Sequence, residues 1–214
     1  MCANYHPVTA QDRLLTFFGV ERPRDEVPPE TWPGYFAPFV VRARDRVELE
    51  RQAQHGLFGL LPAWAKEIAF GRRTYNARSE TVHEKPSFRD AWRRGQRCIV
   101  PAEAIYEPNW ETGKAVRWRI ARRDGRPMGI AGLWGLWKGP DGRALLSFTM
   151  LTINADDHDV MKRFHRPGDE KRMVVILDEA EYDAWLECPV ERQREFLRPY
   201  PAERLEATPA PLKR

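Results

Sequence analysis

MGIAGLWGLWKGPDGRALLSFTMLTI, residues 128–153, is the stretch that decides the fold. Two apolar arms, 128–137 and 144–153, flank Gly139-Pro140-Asp141-Gly142. Proline presets its own φ and glycine accepts the positive φ of tight turns, so the stretch reads as a hairpin. The pattern repeats on both sides. Residues 99–106, 116–120 and 173–177 are further short apolar or alternating runs, and Asp124-Gly125 supplies another turn. Toward the N-terminus, 34–44 (with Tyr35, Phe36, Phe39, Val40 and Val41) and 57–61 read as strands as well. The expected fold is α+β: a single domain whose β-rich, barrel-like core of mostly antiparallel strands carries short flanking helices.

Those helices are expected at 12–18, with Asp12 as cap, and at 87–92, 156–162 and 179–186, each opened by a Ser or an acid suited to a helix N-terminus. Pro23, Pro28, Pro29 and Pro33 enforce an extended excursion after the first helix. The chain has 214 residues, 42% hydrophobic and 31% charged, as one soluble domain requires. No apolar run approaches the roughly 20 residues of a membrane span, and no basic-then-apolar leader is present, so a cytoplasmic location without membrane partners is expected. A monomer is expected as well, though no feature of the sequence sets the oligomeric state. Residues 1–198 are expected to form the catalytic unit. Residues 199–214, rich in Pro and Ala, are expected to be a surface tail.

Lys plus Arg exceeds Asp plus Glu by only four, but the arginines are concentrated. Arg72 and Arg73, then Arg93, Arg94 and Arg97, then Arg117, Arg119, Arg122, Arg123 and Arg126 occupy the middle of the chain, interleaved with Trp92 and Trp118. Arginine with aromatics suits phosphates and unpaired bases; each cluster equally reads as an ordinary solvated face. Cys2, Cys98 and Cys188 are too few and too scattered for a disulfide framework, and no metal or other cofactor is expected. Cys98 reads as a core thiol, and Cys188 as incidental.

Cys2 is different. Removal of Met1 would leave an α-amine and a thiol on one residue, with reference pKa values of about 7.7–8.0 and about 8.5, so both nucleophiles are partly populated near neutrality. Such a 1,2-aminothiol attacks an aldehyde twice, giving an imine and then a thiazolidine. By position alone Cys2 reads equally as a frayed terminus.

Four segments supply partners: LFGLLPAWA at 57–65, YNARSET at 75–81, CIVPAEAIYE at 98–107, and Phe164-His165-Arg166-Pro167 running on to MVVIL at 173–177. With Met1-Cys2, in this order and spacing, the chain resembles the SOS-response-associated peptidase (SRAP) family from Met1 to about Trp185. The resemblance implies a protein that traps abasic sites in single-stranded DNA as a covalent crosslink through its N-terminal cysteine, associating with the nucleoid when bound. It implies Cys2 as nucleophile, with Asn76, Glu107 and His165 as catalytic partners. Arg78 is implied as a DNA-contacting arginine, with Arg166, Arg172 and Trp64 as further DNA-binding candidates. Ala3 and Asn4 replace the family's usual opening, so a phosphate contact from a residue-4 arginine is missing, and Pro108 and Asn109 precede Trp110 where a Trp often follows the glutamate directly.

Taken singly, Glu107 reads as a turn carboxylate, His165 as a loop histidine packed on Phe164, and Asn76 as a turn residue; their joint order overturns those readings. Chemically, opening a sugar hemiacetal and forming imine and thiazolidine calls for two proton carriers. Glu107 among Ile105, Tyr106 and Pro108 would be raised toward neutrality by desolvation, and His165 is expected to titrate there already. Trp64 reads as a core residue or as a wedge at a base step. The cluster Asp156, Asp157, His158 and Asp159 reads as a helix opening and not a metal site, and His83 as a solvated loop side chain. Peptidase-like removal of Met1 and strand cleavage by β-elimination are compatible activities. The alternative is a noncatalytic single-stranded DNA-binding module with Cys2 as bystander.

Overall fold

The computed structural model describes residues 2–43 and 51–212. Met1 and the end of the strand expected at 34–44 lie outside the described residues. The strands are β1 (Asn4–Pro7), β2 (Phe36–Arg42), β3 (Arg51–Phe58), β4 (Asn76–Arg78), β5 (Arg97–Asn109), β6 (Val116–Arg122), β7 (Met128–Lys138), β8 (Ala144–Asn154), β9 (Arg172–Val174), β10 (Ile176–Leu177) and β11 (Leu205–Pro209). All lie in one sheet, and β7 pairs with both β8 and β5, closing a ring through β3 and β2. Two links are thin: β2 meets β5 at Val40↔Ile99, and β3 meets β8 over two parallel pairs. The sheet is therefore ring-like and not a fully laced barrel.

The hairpin read at 128–153 is present, with Gly142 at φ 79° in its turn. Inside the ring, aromatic side chains form a column. Tyr5 packs edge-on against Phe58, which stacks on Phe148, which meets Phe39, with centroid spacings of 5.3, 5.4 and 5.2 Å. All four are fully buried, and burial of each side chain is worth roughly 1.5–3 kcal/mol. That column holds β1, and with it the chain's first residues, against the core.

Among the described residues, three short α-helices flank the sheet: α1 (Gln11–Phe18), α2 (Arg89–Arg93) and α3 (Tyr182–Glu187). Asp12 sits inside the first turn of α1, not at its cap, where Ala10 stands. The expected helix at 156–162 shrinks to a 3-10 turn at Met161–Arg163. His158 opens it: its Nδ1 accepts the N–H groups of Val160 and Met161, while Nε2 donates to Tyr200 O at 2.8 Å. Both ring nitrogens are thereby used within the fold.

The expected surface tail is corrected over much of its length. β11 pairs antiparallel with β6 from Leu205↔Arg122 to Pro209↔Trp118, and Tyr200 and Leu205 are buried. The strand exists because β6 would otherwise expose an unpaired edge. None of the helices among the described residues is long and apolar enough to cross a membrane.

Candidate functional site

Pairing of β1 with β5 sets Asn4 opposite Tyr106, and this brings Cys2 to the neighbourhood of Glu107. Cys2 is buried, its Sγ donating to Asn4 O at 3.5 Å. Asn76 arrives from the other side at the start of β4, which runs parallel to β8. The approach of that segment depends on Gly59, at φ 132°, where a Cβ would fall 2.0 Å from Gly71 O; the 3-10 turn Ile68–Arg73 that leads to Asn76 could not pack there against any other residue. Asn76 Nδ2 donates to Cys2 O at 3.0 Å and to Tyr75 O at 2.8 Å, while its Oδ1 is buried without a hydrogen bond.

His165 is stapled to the end of β5. Its N–H donates to Pro108 O at 3.0 Å, and Phe164 forms a bridge with Asn109. It adopts φ 64°, the left-handed region, which a non-glycine residue holds only where its surroundings fix it. Nε2 lies 3.2 Å from Arg172 O, and a carbonyl only accepts, so Nε2 carries the proton. In the neutral ring Nδ1 then keeps its lone pair and faces Glu107 Oε2 at 3.6 Å.

Burial sets the proton affinities. It pushes the Glu107 carboxyl up to about 7 and pulls the His165 imidazole down to about 4. The Cys2 thiol rises far above its ordinary value, through burial first and the nearby Glu107 second. Two expectations are corrected here. The thiol is not partly ionised near neutrality but needs a base, and His165 does not titrate between 5 and 8, because desolvation penalises its cation. Tyr75, half-buried, was not anticipated; its hydroxyl is also raised, by burial and then by Cys2 and Glu107.

The structure brings Cys2, Asn76, Glu107 and His165 together and separates the DNA-contact candidates into two kinds. Arg78 is half exposed and pairs with Glu170 at 2.9 Å. Arg166 is exposed and lies over the Trp110 ring at 5.0 Å. Trp64 is 52% exposed, edge-on to Phe70 at 4.9 Å, so of its two readings the core one is excluded. Arg172, by contrast, is buried, its guanidinium donating to Glu80 at 2.8 and 3.0 Å, to Glu170 at 2.7 Å and to Thr152 O at 2.8 Å. It has no face left for a phosphate. Arg172→Ala is expected to lower stability by about 2–3 kcal/mol, read by thermal unfolding, without altering the salt dependence of DNA binding; a reduced salt slope at parental stability would restore Arg172 as a contact.

The central arginine clusters divide likewise. Arg97 is buried on Trp185 O and Cys188 O, Arg122 on Asp124 and Glu179, and Trp92 is itself buried. Arg194 fills the space over Trp92 and bonds His83 Nδ1.

The family model described as SOS response associated peptidase (SRAP) matches residues 1–212. The chain belongs to this family. It is 33% identical over 154 residues to abasic site processing protein YoqW of Bacillus subtilis, a match covering 70% of this chain and 65% of that protein. The chicken protein HMCES, also named an abasic site processing protein, is 28% identical, over 73% of this chain and 52% of its own length. The chain thus spans just under two thirds of YoqW and about half of chicken HMCES. A crystal structure of a Bordetella bronchiseptica protein superposes with a TM-score of 0.92 at 44% identity, covering 99% of this chain and 100% of that one. A Bacteroides thetaiotaomicron structure, at 22% identity and a TM-score of 0.77, shares the fold of this SRAP chain.

Proposed function

We propose that this SRAP chain processes abasic sites in single-stranded DNA by capturing their aldehyde covalently on Cys2. The observation that carries the proposal is the meeting of an N-terminal thiol, its carbonyl clamp Asn76, and a carboxyl raised to about 7 against a neutral imidazole. Hydrolysis of the Met1–Cys2 peptide bond frees the α-amine, and the peptidase of the family's description is read as this self-directed step. The amine adds to the aldehyde carbon of the ring-opened sugar, and the carbinolamine loses its hydroxyl as water to give an imine. Cys2 Sγ then adds to the same carbon, its proton passing through Glu107 to the nitrogen, and the thiazolidine closes. One water is released and nothing is oxidised.

Glu107 suits both halves because about half of it is protonated near pH 7, acid for the departing hydroxyl and base for the thiol. His165 Nδ1 faces it as the relay to the sugar oxygen. Asn76 Oδ1, a buried acceptor, is matched to the N–H of the attacking amine. Loss of the C2′ proton and the 3′ phosphate from the imine would cut the strand, and ring closure competes by consuming that imine.

Arg78, Arg166 and Trp64 are the exposed groups proposed to hold the strand. Arg78 must exchange Glu170 for a phosphate. Arg78→Ala is expected to weaken binding about uniformly across sequences and to lower the salt slope by about 0.7 in log units, one single-strand counterion; an unchanged slope and affinity would put the strand elsewhere. The function as a whole is tested by incubation with an abasic oligonucleotide followed by a denaturing gel. The protein should stay attached, whereas a noncatalytic binder would come off.

A further inference from the structure

Arg117 on β6 touches both residues whose backbone meets the Cys2 thiol. Those residues are Asn4 and Tyr106, opposite each other in the β1–β5 register. Arg117 Nε and Nη2 donate to Asn4 Oδ1 at 3.2 and 2.7 Å, and the guanidinium carbon lies 3.5 Å from the centre of the Tyr106 ring. Its other valences reach two distant segments: Nη2 is 2.7 Å from Glu30 Oε1 in the proline-rich excursion, and Nη1 donates to Ala210 O at 3.1 Å just beyond β11. Asn4 is buried and donates in turn to Thr31 O at 3.3 Å. One planar fork therefore gathers the N-terminal strand, the excursion and the C-terminal segment beside β5.

The need for such a fastening is physical. Chain ends fray unless they are tied down, β1 is only four residues long, and the nucleophile precedes it. Asn76 fixes the carbonyl of Cys2. Nothing in that contact fixes the direction of the thiol, which depends on the carbonyl of Asn4. A guanidinium that holds the Asn4 side chain by two donors and stacks on Tyr106 restrains both rotation and slippage of β1.

We propose that Arg117 is a positioning residue for Cys2, holding the aminothiol in register with Glu107 by gripping Asn4 and Tyr106. The inference rests on the covalent-capture reading above. Arg117 spends its donors on protein acceptors, so it acts on bond formation and not on strand affinity.

The test compares parent, Arg117→Ala, Asn4→Ala, the double variant and Arg117→Lys. Crosslinking rate is measured at saturating abasic single-stranded DNA, and affinity separately on an undamaged strand of the same sequence. Arg117→Ala and Asn4→Ala should each slow crosslinking by about 10- to 100-fold, the scale of an ångström's misplacement. The double variant should be no slower than the slower single, because both break one contact. Arg117→Lys, which keeps a cation but has a single donor nitrogen in place of the planar fork, should recover part of the rate, and affinity and salt slope should stay parental throughout. Parental rates in the single variants, or single effects that multiply in the double, would overturn the proposal. So would lost affinity with a reduced salt slope, which would make Arg117 a phosphate contact. If Arg117→Ala does not fold, Arg117→Lys and Asn4→Ala with their double variant form the same cycle. A parent that forms no crosslink would be a different failure, that of covalent capture itself, and would remove this inference with it.

Discussion

Cys2→Ser is expected to abolish the heat-stable adduct with abasic single-stranded DNA while leaving binding to the strand intact. Imine formation needs only the amine and survives, but an imine hydrolyses on heating. The second bond needs sulfur. In the parent the thiol is buried and protonated, and its proton has a nearby acceptor in Glu107; a serine hydroxyl is far less acidic and far less nucleophilic, and that base is too weak for it. Trapping with borohydride should still reveal the imine in the serine variant, separating loss of closure from loss of attack. Heat-stable crosslinks as abundant as the parent's would show that the thiol has no role.

The second large effect is expected at Glu107. Glu107→Gln should slow crosslinking by about 10²- to 10⁴-fold, the usual scale for a lost general acid or base, with DNA affinity nearly unchanged. Parent rates should bend near pH 7, where Glu107 changes state, and that bend should vanish in the variant, leaving only the rise near about 8 as the attacking α-amine loses its proton. His165→Ala should slow the reaction but keep that bend, since the imidazole stays neutral down to about 4. A bend that persists in Glu107→Gln and disappears in His165→Ala would exchange the two assignments.

The same carboxyl makes a prediction about stability. Between about 4.5 and 7 the folded protein holds a proton on Glu107 that the unfolded chain releases, so its contribution to stability is present below 4.5 and declines as pH rises through 7. The gap corresponds to roughly 3 kcal/mol at full extent. Glu107→Gln should therefore unfold at higher temperature than the parent at pH 8, and the difference should fade as pH falls toward 4.5. A difference independent of pH would mean that Glu107 is ionised in the fold.

The β7–β8 hairpin was legible because its turn carries Gly, Pro and Asp between apolar arms, a local signal that matches the final pairing, whereas the Asp124-Gly125 turn leads from β6 to β7 without pairing them, since β5 lies between the two. β11 was not legible: it contributes one fully buried apolar residue, Leu205, ends in Pro209, and is a strand only because β6 offers it an edge. The helix expected at 156–162 failed for a related reason. The capping there comes from His158, whose position is fixed by Tyr200, forty-two residues on. At the site, Cys2, Asn76, Glu107 and His165 became readable together through their order, whereas each alone resembles a loop residue. Arg172 and Arg117 show the limit of that reading. A buried arginine and a phosphate-gripping one are the same letter, and what separates them is the placement of Glu80 and Glu170, or of Asn4 and Glu30, in the folded chain.

The most direct test of covalent capture is the intact mass of the species formed when the purified protein meets an abasic single-stranded oligonucleotide, followed by mapping of the joined residue. Covalent capture should give one adduct equal to the chain without Met1 plus the oligonucleotide less one water, stable to heat and attached at Cys2. An adduct on a chain that retains Met1, attachment at a lysine, or free protein and free DNA after denaturation would contradict it.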